Sequence, residues 1–336
     1  MRIPYRNKLL LKKILRISLI SLAIVLVLLI AVLVYLEPYF VYDREGAHLN
    51  YENTTQNTEN LVSVETAPLD PPEIIYVDKE PEVQTLLEMG GYYITTSMLQ
   101  QPEKVLEQVK TLTEPCAVMI ELKSIYGNFY YSTSIGGAQR ASVDTKAVDE
   151  LITYLHDNGF YMIASVAAFS DYNFALDNQT SGLPLSNGAL WMDSNGCYWL
   201  DPASDTVISY LIQITRELAT LGFQEVAFSD FRFPTSSSIH YESELTGTQI
   251  VQAAAEQLTD FFTGSNITIS FVTEDVDFPV SACNGRLYVE QVDGSKVERF
   301  QQTYGSSEGL TELVFLANSR DTRFDGLALL RPLMSE

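Results

Sequence analysis

Histidine, cysteine and tryptophan are scarce in this chain, and basic residues are scarce everywhere except at its start. His48, His156 and His240 are too scattered to ligate one metal. Cys116, Cys197 and Cys283 lack metal-ligand spacing, so neither a metal nor another cofactor is expected. Cys116 opens an apolar strand and reads as a small buried hydrophobe. Cys197 and Cys283 stand in loop-like N-G-C and S-A-C-N-G contexts and are free to pair in an oxidising compartment. No Gly-rich phosphate loop and no nucleophile elbow occurs, which removes P-loop nucleotide hydrolysis and serine-hydrolase chemistry. The chain carries 21 basic against 43 acidic residues. Six of the basic ones, Arg2, Arg6, Lys8, Lys12, Lys13 and Arg16, precede position 17. Everything after them is strongly acidic, which repels nucleic acid and anionic polymers.

What is present begins with an uncharged run, Ile17 to Leu36 (I-S-L-I-S-L-A-I-V-L-V-L-L-I-A-V-L-V-Y-L), long enough to cross a bilayer as one helix. Basic residues before it and Glu37, Asp43 and Glu45 after it place the N-terminus in the cytoplasm and the remainder outside. The run is longer than a signal-peptide core and lacks a small-x-small exit, so an uncleaved single-pass anchor in the cell membrane is expected. Residues 37–82, rich in Asn, Thr, Glu and Pro, read as a flexible extracytoplasmic linker. The expected organisation is a basic tail at 1–16, an anchor at 17–36, this linker, and one domain over 83–336.

Within that domain short apolar strands alternate with amphipathic helices. Strands are expected at Tyr92–Thr96, Ala117–Leu122, Tyr161–Ala167, Glu225–Phe228, Ile267–Thr273, Leu287–Glu290, Glu312–Ala317 and Gly326–Leu330. Helices are expected at Pro102–Leu112, Asp144–Asn158, Asp205–Leu221, Thr248–Phe262 and Ser295–Tyr304. About eight strands in about 250 residues fit an α/β fold of the (β/α)8 TIM type, with thin later crossovers. Two features interrupt the alternation: an aromatic turn at Tyr126–Thr133, and the long loop Phe169–Ser204, which holds both tryptophans.

The most informative stretch is Leu221–Pro234, L-G-F-Q-E-V-A-F-S-D-F-R-F-P. Gly222 supplies the left-handed residue that ends a helix. A buried strand follows, and Ser229, Asp230 and Arg232 stand at its exit, where parallel α/β folds place their ligands. Together with W-L-D-P at Trp199–Pro202, G-G-Y-Y-I-T at Gly90–Thr95, A-V-M-I-E-L-K at Ala117–Lys123 and L-H-D-N-G-F-Y-M-I-A at Leu155–Ala164, this stretch resembles a glycoside-hydrolase-like family of unknown function. Members carry W-V-D-P, a helix, and then E-I-Q-F-D-Y-V-R-F-P. The resemblance implies a (β/α)8 barrel and action on carbohydrate. It departs from the family where Ser229 replaces the family's Asp and an Asp follows one place later. A one-residue shift in a strand reverses a side chain's face, so Asp230 substitutes for the missing carboxylate only if the strand kinks. The family's strand-three Arg and Lys are here Ser165 and Ser170.

Glycoside hydrolysis needs one protonated and one ionised carboxyl group. Asp230 with Glu290, or Asp230 with Glu274, could supply that pair. Glu121 and Lys123, two apart on one strand, are expected to share a face and neutralise each other at the barrel mouth. Arg232 is a candidate for holding a sugar hydroxyl or carboxylate or for orienting Asp230. Tyr93, Trp191 and Trp199 are candidates for stacking on sugar rings, and Asp201 of W-L-D-P for binding substrate. Two readings stay open: a membrane-tethered hydrolase acting on a cell-envelope or environmental polysaccharide, and a degenerate barrel that binds glycan or protein without cleaving it.

Overall fold

The computed structural model describes residues 40–43, 46–49, 89–135, 143–276, 278–279, 285–290, 294, 296–304, 312–317, 322–324 and 326–334. The chain divides into two compact units, Met1–Lys79 and Glu80–Glu336. In the first, β1 (Phe40–Asp43) and β2 (Gly46–Leu49) pair antiparallel, with Val41 opposite His48. This ribbon falls inside the stretch expected to be featureless linker. Backbone pairing organises it, and composition does not report pairing. The apolar run 17–36 lies outside the described residues, among which no helix is long and apolar enough to cross a membrane.

The second unit is a closed parallel barrel in the order β10-β3-β4-β5-β6-β7-β8-β9. Its strands are β3 (Gly90–Ile94), β4 (Ala117–Lys123), β5 (Tyr161–Ala167), β6 (Glu225–Ser229), β7 (Thr268–Thr273), β8 (Arg286–Val289), β9 (Glu312–Leu316) and β10 (Ala328–Pro332). The main helices are α1 (Thr96–Leu99), α2 (Pro102–Lys110), α3 (Thr145–Asp157), α4 (Tyr172–Asp177), α5 (Asp205–Thr220), α6 (Gly247–Phe261) and α7 (Val297–Tyr304). The expected thin crossovers are found: among the described residues no helix joins β7 to β8, and only a 3-10 turn at Thr322–Phe324 lies between β9 and β10. The sequence reading missed α1 and α4, which are too short to show a helical period.

Strand alternation sorts the core into two layers. Met119, Ile163, Ala227, Val272, Tyr288, Val314 and Leu330 fill the lumen as one cluster. Their neighbours of opposite parity, among them Val118, Met162, Val226, Phe271 and Phe315, face the helices. Near the N-terminal end of the barrel, Glu225 is fully buried. It accepts from Arg286 Nη1 at 2.6 Å, Tyr161 Oη at 2.9 Å and Tyr288 Oη at 2.9 Å, so the buried charge is paired and hydrogen-bonded. This end of the lumen is closed by a structural ion pair.

Local signals set the element ends. Asp144 caps α3 by accepting from the backbone N–H groups of Lys146 and Ala147. Thr246 and Gln249 form a reciprocal capping box on α6. Gly222 takes φ +90 after α5, and a Cβ there would lie 2.2 Å from the His156 ring. The left-handed φ is what requires Gly there, since the exposed His156 ring could move aside.

One side chain of α5 ties the β4–α3 connection to the barrel. Glu217 accepts from Tyr131 Oη at 2.9 Å, from the N–H and hydroxyl of Ser134 at 2.8 Å each, and from the Thr133 hydroxyl. Burial pushes its pKa up, but these hydrogen bonds outweigh burial and hold it below the ordinary carboxylate value. Glu217→Ala is expected to cost about 1–3 kcal/mol, read by chemical denaturation. The wild-type advantage should be full above the ordinary carboxylate pKa and vanish as the pH falls through the lowered folded value.

Candidate active site

β6 ends at Ser229, whose parity matches lumen-facing Glu225 and Ala227, and Ser229 pairs with Ala167. Ser229 thus faces the barrel mouth, where the family-like carboxylate was expected. Asp230 then takes φ 50, the only positive φ at a non-glycine among the described residues. Asp tolerates this left-handed conformation better than most residues, and such strain often marks functional positions. The strand kinks where Asp230 needs it to. Past this point the strand alternation ends: Phe231 packs against Phe169 and Phe271 at 4.5 and 4.6 Å between ring centroids, and Asp230 and Phe231 both line a cavity of about 810 Å³ at the C-terminal end of the barrel.

That cavity brings together Asp230 and Arg232 from the β6 exit, Glu274 and Asp275 from the β7 exit, and Glu290 from the β8 exit. Phe231, Phe233 and Phe278 supply its aromatic wall. The sequence reading sought aromatic partners elsewhere, although Phe233 stands within R-F-P itself. Thr273 Oγ1 accepts from the Asp275 N–H at 3.0 Å and donates to the Asp275 carbonyl at 3.0 Å, pinning the turn that carries Glu274 and Asp275. The Glu290 N–H donates to the Thr273 carbonyl at 3.0 Å, continuing the β7–β8 ladder and fixing the base of its side chain.

Electrostatics separate the carboxyl groups. Glu290 is pushed up to about 7, first by burial and then by the like charges of Glu274, Asp230 and Glu121. Asp230 is also raised by burial, but Arg232 and Lys123 pull it down against the push of Glu274 and Asp193. Among the described residues, three carboxylates and no cation contribute to the shift at Glu290, whereas two cations act on Asp230. Both carboxyls are raised, but Arg232 and Lys123 oppose the shift at Asp230, which makes Glu290 the candidate for the protonated role.

The remaining predicted residues lie around this centre. Glu121 accepts from the Thr96 N–H at 2.8 Å, which fixes its carboxylate at the mouth, where its charge reaches Glu290. Lys123 does not accompany it. The β4–β5 register shifts between the two, placing Glu121 opposite Ser165 but Lys123 opposite Val166, so Lys123 leaves the lumen parity for the helix side. There Lys123 Nζ meets Asp171 Oδ2 at 2.8 Å and donates to the Ala167 carbonyl at 2.6 Å, with both side chains fully buried. Asp171 also accepts from Tyr210 Oη at 3.0 Å and the Phe174 N–H at 2.8 Å. Gly127, at φ +75, lies so close to Asp171 that a Cβ would fall 2.1 Å from its Oδ1. The expected Glu121–Lys123 pair is thus replaced by a Lys123–Asp171 pair that anchors the aromatic turn.

Trp199 is 1% exposed, donates from Nε1 to Asp193 Oδ2 at 3.0 Å, and carries the Arg232 guanidinium 4.6 Å from its ring. It is a platform for Arg232, with little surface left for a sugar. Trp191, half-buried, packs on it at 6.5 Å. Asp201 accepts from Tyr241 Oη at 2.8 Å and the Ala203 N–H at 2.9 Å, tying down the segment after β6. Tyr93 packs against the lumen cluster. None of Tyr93, Trp191, Trp199 and Asp201 lines the cavity. Cys197 is buried and carries no disulfide, and burial first, then the charge of Asp193, pushes its thiol up to about 11. Cys283 lies outside the described residues. Among the described residues no group of His, Cys, Asp and Glu side chains has the arrangement of a metal site.

Comparison with known proteins supports the fold. An α-galactosidase from Lactobacillus brevis is similar with a TM-score of 0.51 at 11% identity, over 73% of this chain and 37% of that one. An uncharacterized protein from Listeria monocytogenes gives 0.53 at 10%, over 73% and 28%. This chain therefore spans well under half of either. A hypothetical protein from Ruminiclostridium thermocellum shares 22% identity over 54% of this chain and 96% of its own, with a TM-score of 0.47. No curated protein matches. The family model described as "Putative glycosyl hydrolase domain" matches residues 91–283, more than half of the 336, from the first barrel strand past the Asp230–Glu274 wall of the cavity, and the chain belongs to that family.

Proposed function

We propose that this protein is a glycoside hydrolase whose acid is Glu290 and whose ionised partner is Asp230. The observation that carries the reading is the kink at Asp230, which brings its carboxylate into the same cavity as a Glu290 held near neutrality. Glu290, pushed up to about 7 by burial and its carboxylate neighbours, donates its proton to the glycosidic oxygen as the bond breaks. Asp230, whose charged form Arg232 favours, attacks the anomeric carbon or takes a proton from water.

We further propose that Ile17–Leu36 anchors the domain in the cell membrane, with residues 1–16 cytoplasmic and the barrel outside, acting on a cell-envelope or environmental polysaccharide. The uncharged run and the basic residues preceding it support this. Protease applied outside intact cells should then remove the barrel and spare the basic tail; a fully protected barrel would reverse the orientation.

The hydrolase reading is tested by reducing-end release from a panel of polysaccharides and cell-wall preparations, with Asp230→Asn alongside. Asn also tolerates the left-handed conformation, so the fold should persist while release falls at least about 10²-fold. Retention of anomeric configuration would make Asp230 the nucleophile, and inversion would make it the base. Ser229, standing where family members carry Asp, favours one other reading, a barrel that binds glycan without cutting it. Saturable binding without release by either protein would select that reading.

A further inference from the structure

Arg232 is the one basic residue on the described wall of the cavity. Its side chain is exposed, and among the described residues no hydrogen bond or ion pair to it is found. A long cationic side chain left to water samples many rotamers, and its field at any one carboxylate is averaged and screened. Arg232 is not left to water alone. Its guanidinium rests 4.6 Å from the centre of the Trp199 ring, the contact in which the face of an indole attracts a cation.

The ring is itself fixed. Trp199 Nε1 donates to Asp193 Oδ2 at 3.0 Å. The other oxygen of Asp193 accepts from the N–H groups of Asn195 and Cys197 at 2.9 Å each, so this carboxylate is committed to its own turn and to the indole. The backbone is tied on both sides as well: the Trp199 carbonyl accepts from the Leu183 N–H at 2.8 Å, and the Leu200 N–H donates to the Phe169 carbonyl at 2.7 Å. Filling a core needs neither the tether on the indole nitrogen nor a cation on the ring face.

The carboxylate two residues before Arg232 gives this arrangement a use. Asp230 is faced by Arg232 from its own segment, by Lys123 from β4, and by Asp193 and the neutral Cys197 thiol from the β5–α5 loop. Glu274 faces it from the β7 exit and Glu290 from the β8 exit. Burial, Glu274 and Asp193 all oppose its charge. Lys123 is locked in its buried pair with Asp171, so Arg232 is the cation of the two whose position can vary. We infer that Trp199 is a positioning residue: tethered by Asp193, its ring holds the Arg232 guanidinium beside Asp230 and keeps that carboxylate in its ionised form.

The inference takes the role of Asp230 from the hydrolase reading, but its test needs no turnover. Full-length protein is labelled at the side-chain carboxyl carbon of aspartate, and Asp230, identified as the signal that Asp230→Asn removes, is titrated by NMR. Arg232→Gln should raise its midpoint by about one pH unit. Trp199→Phe, which keeps a weaker ring and loses the tether, should raise it by about half as much. In the Arg232→Gln background Trp199→Phe should add nothing, because its effect runs through the guanidinium. A ring that only packs would leave the Asp230 midpoint unchanged while the protein denatures more easily; that result, or equal shifts in both backgrounds, overturns the inference. Should Trp199→Phe not fold, the wild type decides. Its Arg232 Nε–H resonance, identified by loss in Arg232→Gln, should be restricted in motion and shifted by the ring current, and free motion sinks the inference. If no polysaccharide is cut, the hydrolase reading fails and these titrations still decide on Trp199. If one is cut, the acid limb of kcat/KM should move with the midpoint, and a limb that stays put in Trp199→Phe counts against the inference alone.

Discussion

Glu290→Gln is expected to lower kcat by about 10²–10⁴-fold, the usual contribution of a general acid, and to abolish the basic limb that the wild type should show near pH 7. An acid works only while protonated, and Glu290 loses its proton around pH 7 because burial and three neighbouring carboxylates disfavour its charge. Wild-type kcat should therefore fall as the pH rises through about 7. A basic limb that persists in the Gln variant would assign the acid to another group. The same residue makes an opposite prediction for stability. Between its ordinary value of 4.5 and about 7, the folded state binds more protons at Glu290 than the unfolded state does, so stability declines as the pH rises across that window. Gln carries no charge to desolvate. The variant should match the wild type near pH 4 and exceed it by about 1–3 kcal/mol at pH 8, measured by denaturant titration at both. Gain of stability with loss of turnover is what a strained catalytic group gives when removed.

The second large effect is expected at Lys123. Its ammonium and the Asp171 carboxylate are fully buried 2.8 Å apart, and removing one partner of such a pair strands the other charge. Lys123→Met should cost about 3–5 kcal/mol, a large part of the 5–15 kcal/mol that typically holds a domain together. Asp171→Asn in the same protein should recover much of the loss, because Asn still accepts from the Phe174 N–H and leaves no buried charge. If Lys123 instead bound substrate, the single variant would raise KM and keep its denaturation midpoint. The two roles give opposite results in two inexpensive assays.

The legibility of this molecule varies residue by residue. β5 was expected at Tyr161–Ala167 and is found there, and α5 starts at Asp205 as its pattern indicates. Both elements follow from local periodicity and from punctuation such as Gly159 and Gly222, which each segment carries in itself. The mouth-facing position of Glu121 also followed from alternation along one strand. Lys123, by the same rule, should have shared that face, and the rule failed because a register shift against β5 inserted an extra residue between them. Nothing within A-V-M-I-E-L-K announces a bulge, since a bulge is a relation between two strands. The aromatic turn was located correctly at Gly127, yet Phe129, Tyr130 and Tyr131 are buried and Tyr126 is the exposed one, at 44%.

By itself the sequence determined the eight-stranded α/β architecture, the ends of most strands and helices, and the strip of residues from which a site had to be drawn. These follow from hydrophobic period, capping and turn chemistry, all short-range along the chain. Tertiary structure decided which carboxylates meet. It turned Asp230 through a left-handed residue into the cavity, buried Glu290 and set it against three like charges so that its pKa rises to about 7, placed Arg232 on Trp199 and withdrew Lys123 to Asp171. Each of these depends on the register between strands and on the burial that closure of the barrel imposes. Registry, desolvation and the field of distant charges exist only once segments far apart in sequence have been brought together.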